Sequence, residues 1–343
     1  MRYLSQQNLA ALLLDLKRDY EVFVPVRRGH QRLYEPFEGW HEAVALGEPR
    51  PFEPLKAFIF RGRERVAEDF KDELPEPGRR PACVVGVKAC DLKGFKIEDH
   101  VFLGEDADPF YQRAREQTLL IATDCTGCLE TCFCTAMDVT PHATEGFDLN
   151  LSPVEGGYLV EPGSSKGEAL LAEHDALLAD AADEHLRQRQ EHRDRVRAEV
   201  EANIEREATP TQDRLEGVVA RGFDADIWRE ESETCVECGA CNTSCPTCHC
   251  FYLYDQADAA GVNVRHRCWD ACLLKGFARE AGGGNPRPRL WMRLRNRFEK
   301  KFDFFPKVAG LYACTGCGRC ILCCPAKIDI RQVLRRLVEH AGQ

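Results

Sequence analysis

Cys235-Val236-Glu237-Cys238-Gly239-Ala240-Cys241-Asn242-Thr243-Ser244-Cys245-Pro246 is the stretch from which the rest of this chain can be read. Its spacing, C-x2-C-x2-C-x3-C-P, returns as Cys314-Thr315-Gly316-Cys317-Gly318-Arg319-Cys320-Ile321-Leu322-Cys323-Cys324-Pro325. Three thiolates placed two residues apart wrap a tight loop around three corners of a metal–sulfur cube. Glycines such as Gly239 and Gly318 let backbone amides approach its sulfurs. The fourth cysteine is carried past and ligates the other cube. By that rule Cys235, Cys238, Cys241 and Cys324 hold one centre, and Cys314, Cys317, Cys320 and Cys245 the other.

This run is similar to that of bacterial two-cluster ferredoxins and implies two 4Fe-4S clusters. Paired C-x2-C knuckles also bind zinc, but two complete runs that each end in proline are far more specific than knuckles. Cys241-x3-Cys245-x2-Cys248 matches the radical-SAM spacing as well. Those cysteines already serve the run, however, and no repeating strand–helix pattern surrounds them. The segment between the two runs reads as helical, so 211–343 resembles the α-helical ferredoxin modules of fumarate reductase and heterodisulfide reductase subunits.

Beyond these runs, the 343 residues carry 19 cysteines, 44% apolar residues and a formal charge of −10. A chain this long buries a core without covalent staples. An odd cysteine count cannot pair completely, and the N-terminus shows no cleavable leader. A reduced, cytoplasmic protein is therefore expected. Its longest apolar stretches fall far short of the roughly 20 residues that cross a bilayer. The acidic balance argues against general nucleic-acid binding. No Gly-rich phosphate loop, G-x-S-x-G or H-E-x-x-H is present, which leaves neither nucleotide-binding nor hydrolytic machinery.

The cysteines are clustered: six from Cys83 to Cys134, none for the next hundred residues, then thirteen from Cys235 onward. The spacing predicts a mixed α+β fold, with an N-terminal α/β domain over 1–163 that gathers a cysteine cluster at its strand ends. A charged helical connector follows over 164–210, and an α-helical two-cluster domain over 211–343. Leu9, Leu12, Leu13 and Leu16 predict a first helix, and the Arg28-Gly29-His30 turn a hairpin. Cys83–Val87 and Thr118–Thr123 read as buried strands, followed by Cys90 and Cys125 respectively. If they are parallel neighbours, both thiolates emerge at one carboxyl edge, where open α/β sheets place their ligands. Cys268–Glu280 reads as a buried helix, and Ile328, Ile330, Val333, Leu334 and Leu337 as the apolar face of an amphipathic last one.

Cys125-Thr-Gly-Cys128-Leu-Glu-Thr-Cys132-Phe-Cys134 is not a ferredoxin run, and its composition leaves zinc or iron open. Together with Gly86-Val-Lys88-Ala-Cys90-Asp91-Leu92, Asp99-His100, Asp108-Pro-Phe-Tyr111, Cys245-Pro-Thr-Cys248-His-Cys250 and Arg267-Cys-Trp-Asp-Ala-Cys272, it carries a resemblance. Over about 80–335 the chain resembles the family that includes the cytoplasmic sulfhydrogenase β subunit and the iron–sulfur subunit of anaerobic sulfite reductase. The resemblance implies a third 4Fe-4S cluster on Cys90, Cys125, Cys132 and Cys134, with Cys128 a departure that could replace Cys125 or Cys132. It also implies an electron relay linking a flavin- and NAD(P)H-binding reductase subunit to a catalytic redox subunit, of hydrogenase, sulfite-reductase or heterodisulfide-reductase type. In that role no residue of this chain need be a general acid or base. The rival is a reductase acting directly on a disulfide or polysulfide, with Cys128 or the Cys323–Cys324 pair. It predicts turnover by the isolated subunit.

Seven cysteines lie outside the twelve ligands. Cys83 reads as a small core residue and Cys323 as a packed bystander. Cys248, Cys250, Cys268 and Cys272 either shield the nearest cluster, the reading favoured here, or form a fourth thiolate site. From Asn285 to Lys307 a net +6 stands out in an acidic chain, as a solvated face or a docking surface for an acidic partner. Three oxidised cubanes, each about −2 with four thiolates, would take the loaded protein to roughly −16, which sharpens that contrast.

Overall fold

The computed structural model describes residues 1–69, 71 and 80–342. The chain opens with β1 (Arg2–Ser5) and α1 (Gln6–Leu16). The Ser5 hydroxyl caps α1 by accepting from the Asn8 amide, and Leu9, Leu12, Leu13 and Leu16 form its buried face. β2 (Glu21–Arg28) and β3 (Gln31–Pro36) make the hairpin expected at Gly29. There follow β4 (Arg63–Glu68), β5 (Ala82–Val87), α2 (Ala89–Phe102), α3 (Pro109–Gln117), β6 (Leu119–Thr123), β7 (Leu149–Val154) and β8 (Gly157–Pro162). α4 (Ser165–Glu173), β9 (Ala179–Asp180) and the long α5 (Asp183–Arg206) complete the first two-thirds.

Eight of these strands form one sheet in the order β3-β2-β5-β6-β7-β8-β1-β9. Its centre, β2-β5-β6-β7, is parallel. Strands buried on both faces need continuous apolar runs, which is what Cys83–Val87 and Leu119–Ala122 supply. One core, with α1, covers one face; the other, with Leu92, Phe95, Phe102 and Tyr111, covers the opposite face. Because β5 and β6 are parallel neighbours, Cys90 and Cys125 leave the same edge. α5 is charged along most of its length, yet Val196 and Val200 are buried and β9 pairs with β1, so 164–210 is stitched to the sheet.

The C-terminal third carries short helices α6 (Val218–Arg221), α7 (Ile227–Ser232) and α8 (Ala240–Thr243). After β10 (Phe251–Ala257) and β11 (Asn263–Trp269) come α9 (Leu290–Glu299), a π-helical turn at Lys300–Phe304, α10 (Phe305–Ala309), α11 (Arg319–Leu322) and α12 (Ile330–Ala341). α12 buries Ile330, Val333, Leu334 and Leu337, as its periodicity demands.

Two expectations are corrected here. Cys268–Glu280 is not a helix: Cys268 and Trp269 end β11, which pairs with β10 and, on its other side, with β4 from the N-terminal region. The β-favouring run Phe251-Tyr252-Leu253-Tyr254 and the turn closed by Asp258 onto Ala260 and Val262 are hairpin signals that outweighed a short apolar run. Second, the basic segment is a solvated face only in part. Arg293, Arg295, Arg297 and Lys301 are buried, and Arg293 bonds the carbonyls of Leu273, Arg287 and Pro288 and the carboxylate of Glu237. Those four are closed to a partner, whereas Arg289 and Lys307 are exposed. Cysteine-rich loops present many carbonyls and sulfurs that regular ladders leave unpaired, and inward-facing cations meet that demand.

Candidate metal centres

The first ferredoxin-type run folds around a cavity lined by Cys235, Cys238, Cys241 and Cys324, the four cysteines that the crossing rule assigns to one cube, and also by Cys320, which the rule gives to the other. Leu273, Leu294, Phe298, Ile328 and Ile330 wall it, an apolar shell that keeps water from the sulfurs. Cys314 lies within electrostatic reach of Lys301, Cys320 and Cys245, and Cys320 within reach of Cys317 and Cys245. Lys301 Nζ donates to Cys245 Sγ at 3.2 Å, to Thr247 Oγ1 at 2.8 Å and to the Ala313 carbonyl at 2.9 Å.

At the sheet edge a third cavity is lined by Cys90, Cys125, Cys128, Cys132 and Cys134. Cys90 sits in the first turn of α2, just after β5; Cys125 follows β6; Cys132 and Cys134 come from the loop that continues from it. Cys128 joins them, and Asn203 Nδ2 donates to its sulfur at 3.4 Å, so the departure lies at the site itself. Val196 and Val200 of α5 roof this cavity. Sequence reading missed that role, since two valines in a charged helix give only a weak signal. Cys317 also lines it, which brings the second ferredoxin-type loop to its wall.

That contact is tight. Phe133 N donates to the Gly316 carbonyl at 2.9 Å, and Arg50 bonds both the Cys317 carbonyl and Thr131 Oγ1. Gly316 and Gly318 have φ of +64° and +68°, and a Cβ on either would lie within 2.4 Å of the Phe133 or Thr131 carbonyl oxygen. Beside them Arg319, which precedes Cys320, donates to Asp91, which follows Cys90, at 2.8 Å; both side chains are fully buried. The same guanidinium bonds the carbonyls of Pro51, Phe52 and Glu53. The two cysteine centres are thus backed onto each other by a buried ion pair and two side-chain-free glycines.

The electrostatics suit an anionic group. Burial pushes the Cys125, Cys128 and Cys320 thiols up to about 11, and Cys241 and Cys314 up to about 12. Such thiols keep their protons at neutral pH until a metal displaces them. Cations are in place: Lys88 and Arg50 line the N-terminal cavity, and Arg297 lines the first one. Burial opposes the charge of Arg297, but Cys241, Cys320, Cys248 and Cys245 more than offset it and raise its pKa. Arg297 Nε and Arg50 Nη1 are buried without acceptors. Donors orphaned in cysteine-lined cavities are what the sulfides of a bound cluster would satisfy. The donor sets therefore fit 4Fe-4S clusters.

Of the remaining cysteines, Cys83 lies in β5 in the core, and burial holds its thiol neutral. Cys323 turns to Ser244 Oγ at 3.3 Å and to the Cys320 carbonyl, a packed position. Lys88, Arg50, Arg297 and Lys301 were legible only in part. Lys88 stands two residues before Cys90, and the basic run was visible but not its inward direction.

Among the described residues no helix is long and apolar enough to cross a membrane. Residues 234–328 match the family described as 4Fe-4S dicluster domain. Over its whole length the chain is similar to sulfhydrogenase 2 subunit beta of Pyrococcus furiosus, with 32% identity over 342 residues covering 99% of each chain.

Proposed function

The chain belongs to the sulfhydrogenase β-subunit family and is an iron–sulfur electron-transfer subunit with at least two 4Fe-4S clusters. On that basis we propose that it relays electrons, linking a flavin- and NAD(P)H-binding reductase subunit to a catalytic redox subunit, with a third cluster on Cys90, Cys125, Cys132 and Cys134. When bound, each cluster supplies a one-electron carrier. The chain's own residues do the rest: cysteines fix the spacing, apolar walls exclude water, and buried cations set the cost of added negative charge. The observation that supports the reading best is the contact between Gly316–Arg319 and the Asp91 and Thr131–Phe133 segments, which places the N-terminal cysteines against those of the second ferredoxin-type run.

Iron and acid-labile sulfide per chain, measured after anaerobic purification, test it. At least about 12 of each are expected, with about four of each lost in Cys90→Ala. A wild-type value near eight would remove the N-terminal centre, and stoichiometric zinc without sulfide would sink the relay.

Arg297→Met tests the electrostatic part. A unit charge about 6 Å from a centre, at an effective dielectric of about 20, contributes roughly 3 kcal/mol, or about 100 mV for one electron. Removing it disfavours the reduced, more negative state, so the midpoint potentials of the two C-terminal centres are expected to fall by that order in an EPR-monitored titration. Unchanged potentials would refute the role.

A further inference from the structure

Cys248, Cys250 and Cys272 are assigned to none of the three centres, yet the fold brings them to one cavity, together with Asn242, His249, Arg297, Lys300 and Lys301. Cys268 does not line it; that side chain sits on β11 opposite Tyr252. The three sulfurs come from two separate segments: the loop after Cys245, and the turn that follows β11, held by the Asp270 amide on the Cys250 carbonyl. Asn242 Nδ2 donates to Cys272 Sγ at 3.1 Å and points to Cys248 Sγ at 3.7 Å; Lys300 Nζ lies 3.6 Å from Cys250 Sγ. Lys56 holds the Cys248 carbonyl at 2.5 Å.

Shielding a neighbouring cluster needs apolar bulk. It does not need three thiols facing three cations and an amide donor. Donors aimed at sulfur are instead what an anionic metal–thiolate group requires around it. The π-helical turn helps, because it presents Lys300 and Lys301, consecutive residues, to the same cavity. The choice between a single ion and a cluster follows from spacing. A tetrahedral thiolate ion draws its sulfurs to about 4 Å from one another. Among the described residues no group of three or more Cys, His, Asp or Glu is gathered so closely, and this holds equally for the cysteines of the ferredoxin-type runs. His249 is the one other metal-ligating side chain in the lining. Its Nδ1 faces the Thr247 carbonyl at 3.2 Å, which leaves Nε2 to act as a ligand.

We propose that Cys248, Cys250 and Cys272 hold a fourth iron–sulfur centre, with His249 at its fourth corner. It lies next to the centre of Cys245, since the Cys248 amide donates to the Cys245 carbonyl at 3.4 Å. It also lies under the β10–β11 hairpin, whose Phe251, Tyr252 and Leu253 are exposed.

The test is iron, zinc and sulfide per chain for the full-length protein purified without oxygen, with Mössbauer spectra of enriched samples. About 16 iron and 16 sulfide are expected in the wild type, and about 12 of each in Cys250→Ala and in Cys272→Ala, with the other signals retained. Cys272 is buried and its loss could unfold the chain, whereas Cys250 is half-buried, and its truncation leaves the core intact. Cys90→Ala, run in parallel, separates the two readings. If it loses four iron while Cys250→Ala loses none, the fourth centre fails and the relay stands; the reverse pattern removes the N-terminal centre alone. Loss of one zinc in place of four iron on Cys250→Ala would also overturn the proposal.

Discussion

Arg319→Met is expected to destabilise the protein by about 3–5 kcal/mol, the cost of leaving a buried charge without its partner. Asp91 and Arg319 are both fully buried, and the other oxygen of Asp91 accepts from the Leu55 amide at 3.3 Å. Removing the guanidinium strands that carboxylate and three carbonyls in the 51–53 segment. Chemical denaturation of the anaerobic protein measures the loss. The double variant Arg319→Met/Asp91→Leu should recover much of it, because two matched apolar groups need no partner. A single-variant loss below about 1 kcal/mol would show that the pair does not tie the two regions together.

Gly318→Ala is the second large effect. An added Cβ would lie 2.0 Å from the Thr131 carbonyl oxygen and 2.5 Å from its carbon, both backbone atoms that cannot swing aside. With φ at +68°, strain adds to overlap, and a loss of about 3 kcal/mol is expected. Iron should fall at both adjoining centres, since the loop that must shift carries Cys317 and Cys320 and presses on Cys132 and Cys134. Gly310→Ala is the control. Gly310 has nearly the same φ, +66°, but nothing lies within 4 Å, so only the backbone cost of about 1 kcal/mol should appear, with iron unchanged. Equal effects at the two glycines would mean that conformation, and not the close approach, dominates.

Elements with strong local signals were legible before folding was considered: the α1 leucines, the Gly29 hairpin, the two buried strands and α12. The β10–β11 hairpin was not. Its evidence lay in two β-favouring segments joined by a turn, while Cys268–Glu280 offered a competing apolar run, and the strand pairing with β4 that stabilises the hairpin joins residues about 200 apart. The basic run misled for a related reason. Composition reports that eight cations occur between 285 and 307, but not that Arg293, Arg295 and Arg297 turn inward to the backbone carbonyls of Leu273, Phe223 and Cys241.

The chemistry of the two ferredoxin-type centres was written in the amino-acid order alone. Ligand spacing within a run is a local property, since two intervening residues reach from one corner of a cube to the next whatever surrounds them. Which distant cysteines share a cavity emerged only on folding. So did the lock of one centre to another through Arg319 and Asp91, and the convergence of Cys248, Cys250 and Cys272 while Cys268 stays apart. Those outcomes depend on how the parallel sheet, the β4–β11 pairing and the inward-facing helix α9 bring together segments that no local pattern relates.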